Sequence, residues 1–284
     1  MTSSTPRPAH FVSTQWLADN LDMPGLAIVD ASWYLPNMNR DGKAEFLAGH
    51  IPKAVFFDID AIADPKTSLP HMLLEPLAFS SEMRKLGIGD GMKIVVYDGA
   101  GLFTAPRVWW MLRAYGATDV VILDGGLPKW KAEGRPLDDG PAQPKPRHFT
   151  ARLNHALVAS ADDVAKVLAS GSANVVDARP AARFRGEAAE PRPGVRSGHM
   201  PGSLNVPFTE LVTDGHLKPA AQLLTTFEAA GVDWSKPMVT SCGSGVSAAI
   251  LTLALDVAGK KPGTLYDGSW AEWGSRDDLP VDVG

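Results

Sequence analysis

The chain of 284 residues holds one cysteine, Cys242. One thiol excludes an internal disulfide and suits a reducing compartment such as the cytoplasm. Positive charge is in slight deficit: 27 Lys and Arg against 32 Asp and Glu leave a net charge of -5. No basic stripe with interleaved aromatics occurs, so a nucleic-acid partner is not expected. No apolar run is long enough to span a bilayer, and no membrane partner is expected either. Met1 to His10 lacks the apolar stretch of a secretory signal and is too short and too poor in arginine for a transit peptide. The 7 histidines show no close spacing with cysteine or carboxylates, so neither a metal site nor a cofactor is expected.

What is present is the balance of a soluble globular protein, 45% hydrophobic and 21% charged, with length for two ordinary domains. The chain also repeats itself. Leu26 to Asp30 answers to Ala173 to Asp177, and Gly49-His50-Ile51-Pro52 to Gly198-His199-Met200-Pro201. Ile94 to Gly101 answers to Met238 to Gly245, and Val121 to Gly126 to Thr264 to Ser269. Four correspondences in one order imply a duplicated unit. Pro136 to His148, with four prolines, reads as the linker. The expected domains are residues 1–140 and 150–284.

Each half alternates short apolar strands with amphipathic helices. Ala27 to Asp30, Ile94 to Tyr97 and Val120 to Leu123 are expected strands, and Pro106 to Ala114 a helix with proline in its first turn. In the second half Val175 to Asp177 and Met238 to Ser241 are strands, and Ala220 to Ala230 is a helix. Ser160-Ala161-Asp162-Asp163 is a cap before Val164 to Leu168. The pattern predicts an α/β fold of two tandem units, each a parallel sheet covered by helices on both faces. Trp109, Trp110, Trp270 and Trp273 are expected in packing rather than around a cofactor. His50 and His199 match across the repeat, which implies a shared structural role.

Cys242 closes an apolar strand, and Gly243-Ser244-Gly245 follows before an expected helix from Val246 to Val257. Such a turn can aim successive N–H groups inward, and a helix N-terminus adds partial positive charge. Both stabilise an anion there, as a reactive cysteine requires. Gly243 and Gly245 supply the backbone freedom. Asp98 holds the matching place in the first half, so that half lacks the nucleophile.

These features resemble the 3-mercaptopyruvate sulfurtransferases, a branch of the rhodanese superfamily. The resemblance rests on the Cys242 to Ser247 loop, Ala31 to Pro36, Phe56 to Asp60, Ala105 to Trp110, Asp177-Ala178-Arg179, Glu190-Pro191-Arg192 and Gly198 to Gly202. It implies two rhodanese-like domains and transfer of sulfur through a persulfide on Cys242 to a thiol acceptor such as thioredoxin, or to cyanide. It further implies that Arg183 and Arg192 hold the donor's carboxylate and ketone. Asp60, His71 and Ser244 would form a hydrogen-bonded series. Gly243, Gly245, Val246 and Ser247 would line the donor. Arg185 is left outside the set. A thiosulfate sulfurtransferase is the alternative, although its loop ordinarily carries basic residues where this chain has Gly243, Ser244 and Gly245. A related phosphatase would need arginine where Ala248 stands. A silent interaction module is at odds with the intact cysteine.

Overall fold

The computed structural model describes residues 10–261 and 263–284, so most of the Met1 to His10 segment lies outside the described residues. The first half runs β1 (Phe11–Val12), α1 (Thr14–Asp19), β2 (Leu26–Asp30), α2 (Gly42–Ala48), β3 (Val55–Phe56), α3 (Pro76–Lys85), β4 (Lys93–Tyr97), α4 (Ala105–Ala114), β5 (Val120–Leu123) and α5 (Gly126–Ala132). The second runs β6 (Val158–Ala159), α6 (Ala161–Ser170), β7 (Asn174–Asp177), α7 (Ala181–Phe184), β8 (Leu204–Asn205), β9 (Val212–Thr213), β10 (His216–Leu217), α8 (Ala220–Ala229), β11 (Met238–Ser241), α9 (Ala248–Val257), β12 (Thr264–Tyr266) and α10 (Ser269–Trp273).

Two parallel five-stranded sheets result, ordered β1-β5-β4-β2-β3 and β6-β12-β11-β7-β8; the β9–β10 hairpin is the addition in the second half. The strand order is the same in both, as the sequence repeat requires. Strand residues alternate between faces. Ile28, Val95, Tyr97, Val121 and Leu123 pack with Trp130 on one side of the first sheet. Ala27, Val29, Ile94, Val96 and Ile122 enter a different cluster on the other side. Val175, Val239 and Tyr266 pack with Trp270 and Trp273, while Val176, Met238 and Leu265 face the opposite way.

The inner faces of both sheets share one continuous cluster, so the halves are fused through a common core. Helices α4 and α9 lie within it and are buried over nearly their whole circumference. A helix apolar nearly all round, such as α9, belongs in such a position, and α4 adds Arg107 and Arg113 to an otherwise apolar surface. No helix among the described residues is long and apolar enough to cross a membrane.

The elements match the sequence reading with two informative differences. The last helix begins at Ala248, because Val246 and Ser247 stay in the turn. Ala249 and Ile250 donate back three residues, to the carbonyls of Val246 (3.2 Å) and Ser247 (3.1 Å), a tight entry that precedes regular bonding. The proline-rich linker is no loose tether either. His50 and Asp138 exchange backbone bonds at 2.9 and 3.0 Å, strapping the linker across the first half. His199 and Asp282 do the same at 2.9 and 3.0 Å with the C-terminal segment. Each histidine also bonds a carbonyl through Nδ1, Phe46 at 2.7 Å and Phe184 at 3.0 Å, and stacks on the same phenylalanine ring.

Candidate active site

Cys242 sits at the carboxyl end of β11, the middle strand of the second sheet, and is only 2% exposed. Ligands of parallel sheets gather at these ends. Helix α10 fixes the start of the loop. The Cys242 N–H donates to Ser269 Oγ (3.2 Å), the Cys242 carbonyl accepts from Trp270 (2.9 Å), and the Gly243 carbonyl accepts from Ala271 (2.8 Å). The two glycines differ. Gly245 has φ 76°, and a Cβ there would come within 2.7 Å of Arg107 Nη1. Gly243 lies outside the left-handed region; a Cβ there would meet Arg183 Nη2 at 3.3 Å. The backbone freedom expected of both is therefore needed at Gly245 alone. Val246 is buried beside the turn and Ser247 half-buried at the mouth of α9. The N–H groups of Gly243, Ser244, Gly245, Val246 and Ser247 find no acceptor among the described residues.

The matching turn in the first half shows what such N–H groups are suited to. The Asp98 carboxylate accepts from Ala100 at 2.9 Å through Oδ1, and from Phe103, Thr104 and Ala105 at 2.7, 2.9 and 2.8 Å through Oδ2. That turn is coiled around an anion supplied by its own chain. In the second half Cys242 stands at the same place with a shorter side chain.

The structure brings Ser244, His71 and Asp60 together across the two halves. His71 Nδ1 lies 3.0 Å from Ser244 Oγ, and His71 Nε2 lies 2.9 Å from Asp60 Oδ1. His71 is buried, at 4% exposure, so it is not the loop-surface residue its proline-flanked setting suggests. The hydrogen bond from His71 holds the Asp60 carboxyl below its ordinary range, with help from the Trp33 indole. Trp33 Nε1 donates to Asp60 Oδ2 at 2.8 Å, and its ring meets the imidazole edge-on with centroids 4.9 Å apart. Trp33 was visible in the sequence only as part of a motif.

The arginines divide into three kinds. Arg185 pairs with Glu187 at the surface. Arg183 is held by Glu190, which also grips the buried Arg179, itself bonded to Asp177. Arg192 is half-buried and has no hydrogen-bond or ion-pair partner among the described residues. Burial pushes its guanidinium below the ordinary arginine range, while the nearby Cys242 works in the opposite direction. A cation without a fixed partner beside the thiol is a ready seat for a small carboxylate. Glu190, visible in the sequence only as part of the Glu190-Pro191-Arg192 motif, orients Arg183.

The Rhodanese-like domain model matches residues 13–133 and 160–276. The chain is 46% identical over 273 residues to 3-mercaptopyruvate sulfurtransferase of Escherichia coli strain K12, covering 96% of this chain and 97% of that protein. It is 42% identical over 303 residues to the mitochondrial Thiosulfate/3-mercaptopyruvate sulfurtransferase 1 of Arabidopsis thaliana, covering 99% and 80%. The crystal structure of SseA from Escherichia coli, described as a 3-mercaptopyruvate sulfotransferase, superposes with a TM-score of 0.86 at 44% identity, covering 92% of this chain and 99% of that one.

Proposed function

The chain belongs to the rhodanese family as a sulfurtransferase, and from that premise we propose that it moves the sulfur of 3-mercaptopyruvate through a persulfide on Cys242. The observation that carries the residue assignment is the unpartnered Arg192 beside the buried Cys242. Arg192 takes the donor's carboxylate and Arg183, steadied by Glu190, its ketone. The Cys242 sulfur attacks the donor sulfur. An S–S bond forms, the donor's C–S bond breaks, and its electron pair passes to the enolate of pyruvate. The proton of the donor thiol ends on the enolate carbon, relayed by Ser244 and His71, with Asp60 fixing the imidazole. The outer sulfur is then an anion held by the N–H groups of Gly243 to Ser247, with Gly245 and Val246 shaping the wall.

A thiol acceptor such as thioredoxin, or cyanide, next attacks the outer sulfur and frees Cys242. The labour divides between a unit of residues 1–140, which lends His71 and Asp60, and a unit of residues 150–284, which carries the nucleophile. A carrier of this kind fits the reducing cytoplasm. The test is mass spectrometry after incubation with 3-mercaptopyruvate and no acceptor. One added sulfur atom, removable by a reductant and absent from Cys242→Ser, is expected. Wild-type turnover by Cys242→Ser would sink the proposal.

A further inference from the structure

We propose that Arg107 and Asp267 are positioning residues, an ion pair between the halves that holds His71 in register with Ser244. The inference rests on the role given above to His71. Arg107 projects from the first turn of α4, and Asp267 follows β12 in the other half. Their side chains are 0% and 4% exposed, and Arg107 Nη2 meets Asp267 Oδ1 at 2.6 Å. The pair does more than close on itself. Arg107 Nη2 donates to the His71 carbonyl (2.6 Å), and Nη1 reaches the Gly245 carbonyl (3.4 Å). Asp267 Oδ2 accepts from the Leu73 N–H at 2.8 Å.

The backbone on both sides of the imidazole, at His71 and Leu73, is thus tied to one buried pair. The same guanidinium touches the carbonyl next to Ser244. That tie is needed, because His71 has φ 61°, a left-handed conformation that a residue with a Cβ adopts at a cost. Asp267 also opens the short segment in which Ser269, Trp270 and Ala271 hold Cys242 and Gly243. One ion pair therefore links the histidine, the serine-bearing turn and the support of the nucleophile. Of the two arginines of α4, Arg107 is the fully buried one, and the matching helix α9 carries no arginine.

A planar fork can serve three acceptors at once, which an ammonium cannot do with the same geometry. Arg107→Lys keeps the charge and loses the fork. We expect it to lower kcat by about 100-fold, the cost of displacing a catalytic group by about an ångström, with the KM for 3-mercaptopyruvate little changed. Combined with His71→Ala, it should slow the enzyme no further than His71→Ala alone, since both remove one function. A general structural defect would instead multiply with it. Losses that multiply, or wild-type kcat in Arg107→Lys while His71→Ala is slow, overturn the inference.

If His71→Ala itself turns over normally, the role of His71 fails and the inference falls with it, a result distinct from the last. Because Arg107→Lys can disturb a buried pair, a second variant is neutral: Arg107→Met with Asp267→Asn. It leaves no unpaired charge and keeps an acceptor for Leu73, while removing the hold on the His71 and Gly245 carbonyls. It should fold, by thermal melting, and show the same loss of kcat. Normal kcat in this variant overturns the proposal, as does failure of both variants to fold, which would mark the pair as a plain structural tie.

Discussion

Asp98 and Cys242 occupy the same place in the two halves, and the Asp98 carboxylate fills with four N–H bonds the kind of turn that Cys242 leaves open. Duplication has left one turn filled by its own carboxylate and the other with N–H groups that find no acceptor among the described residues. That carboxylate has a structural duty. Asp98→Ala strands four backbone donors, three of them bonded to one oxygen. A buried donor without a partner costs about 1–3 kcal/mol; some of these will relax, so we expect a loss of roughly 2–4 kcal/mol in urea unfolding. Persulfide formation on Cys242 should persist in the folded protein. Unchanged stability would mean that the bonds do not matter to the fold.

The repeat explains why so much of this architecture could be read in advance. Four matching segments in one order imply a duplicated unit, and the parallel α/β plan follows from strand–helix alternation. The proposed nucleophile, Cys242, is conspicuous in the sequence as the lone cysteine on a strand-to-helix turn. What sequence could not supply was distance between halves. His71 lies 173 residues from Ser244, and its own loop reads as surface. Only the shared core around α4 and α9 brings the two together. Glu190 shows the same limit: proximity in sequence to Arg183 and Arg192 did not reveal that it would hold one and leave the other free.

The unequal arginines should respond unequally to removal. Arg192→Ala deletes a cation whose proposed partner is the substrate, so folding should be little affected. Losing one charged hydrogen-bonding contact is worth about 1.5–3 kcal/mol, or roughly 10- to 150-fold in kcat/KM for 3-mercaptopyruvate. Arg183→Ala also leaves Glu190 short of a cation, so it should lower both kcat/KM and the melting temperature. Equal thermal effects of the two variants, or an unaltered kcat/KM in Arg192→Ala, would remove the distinction.

Gly243 and Gly245 give a contrast within the loop. Gly245→Ala places a Cβ at φ 76° and within 2.7 Å of Arg107 Nη1, so it should lose most activity and some stability. Gly243→Ala meets only the end of the Arg183 side chain, at 3.3 Å, and should fold normally. Position 243 is therefore open to a test of donor choice. Thiosulfate presents an anionic group next to the attacked sulfur, where 3-mercaptopyruvate presents a methylene. Gly243→Arg with Ser244→Lys should raise the ratio of thiosulfate to mercaptopyruvate turnover above that of a Gly243→Ala, Ser244→Ala control. An identical ratio in the two variants would show that loop charge does not select the donor.

Asp30 makes the stability of the first half depend on pH. It matches Asp177, whose carboxylate is bonded by Arg179 Nε at 2.9 Å. The position matching Arg179 is Ser32, which eases the cost of burying Asp30 only in part. Asp30 Oδ1 accepts from the Ser32 N–H at 2.8 Å, while Oδ2 has no hydrogen-bond partner among the described residues. Burial, with a lesser push from Asp98, raises its carboxyl from the ordinary 3.8 to about 6. The folded value lies above the unfolded one, so the folded state is favoured by holding the proton. That advantage is complete below about pH 4 and is lost as pH rises through about 6. The loss is roughly 2–3 kcal/mol when fully developed. Asp30→Asn has no proton to lose and can keep the bond from Ser32. Its stability relative to wild type should therefore rise by that amount between pH 4 and pH 7.5, as measured by urea unfolding at each pH. A difference that stays constant with pH would show that Asp30 does not titrate in this range.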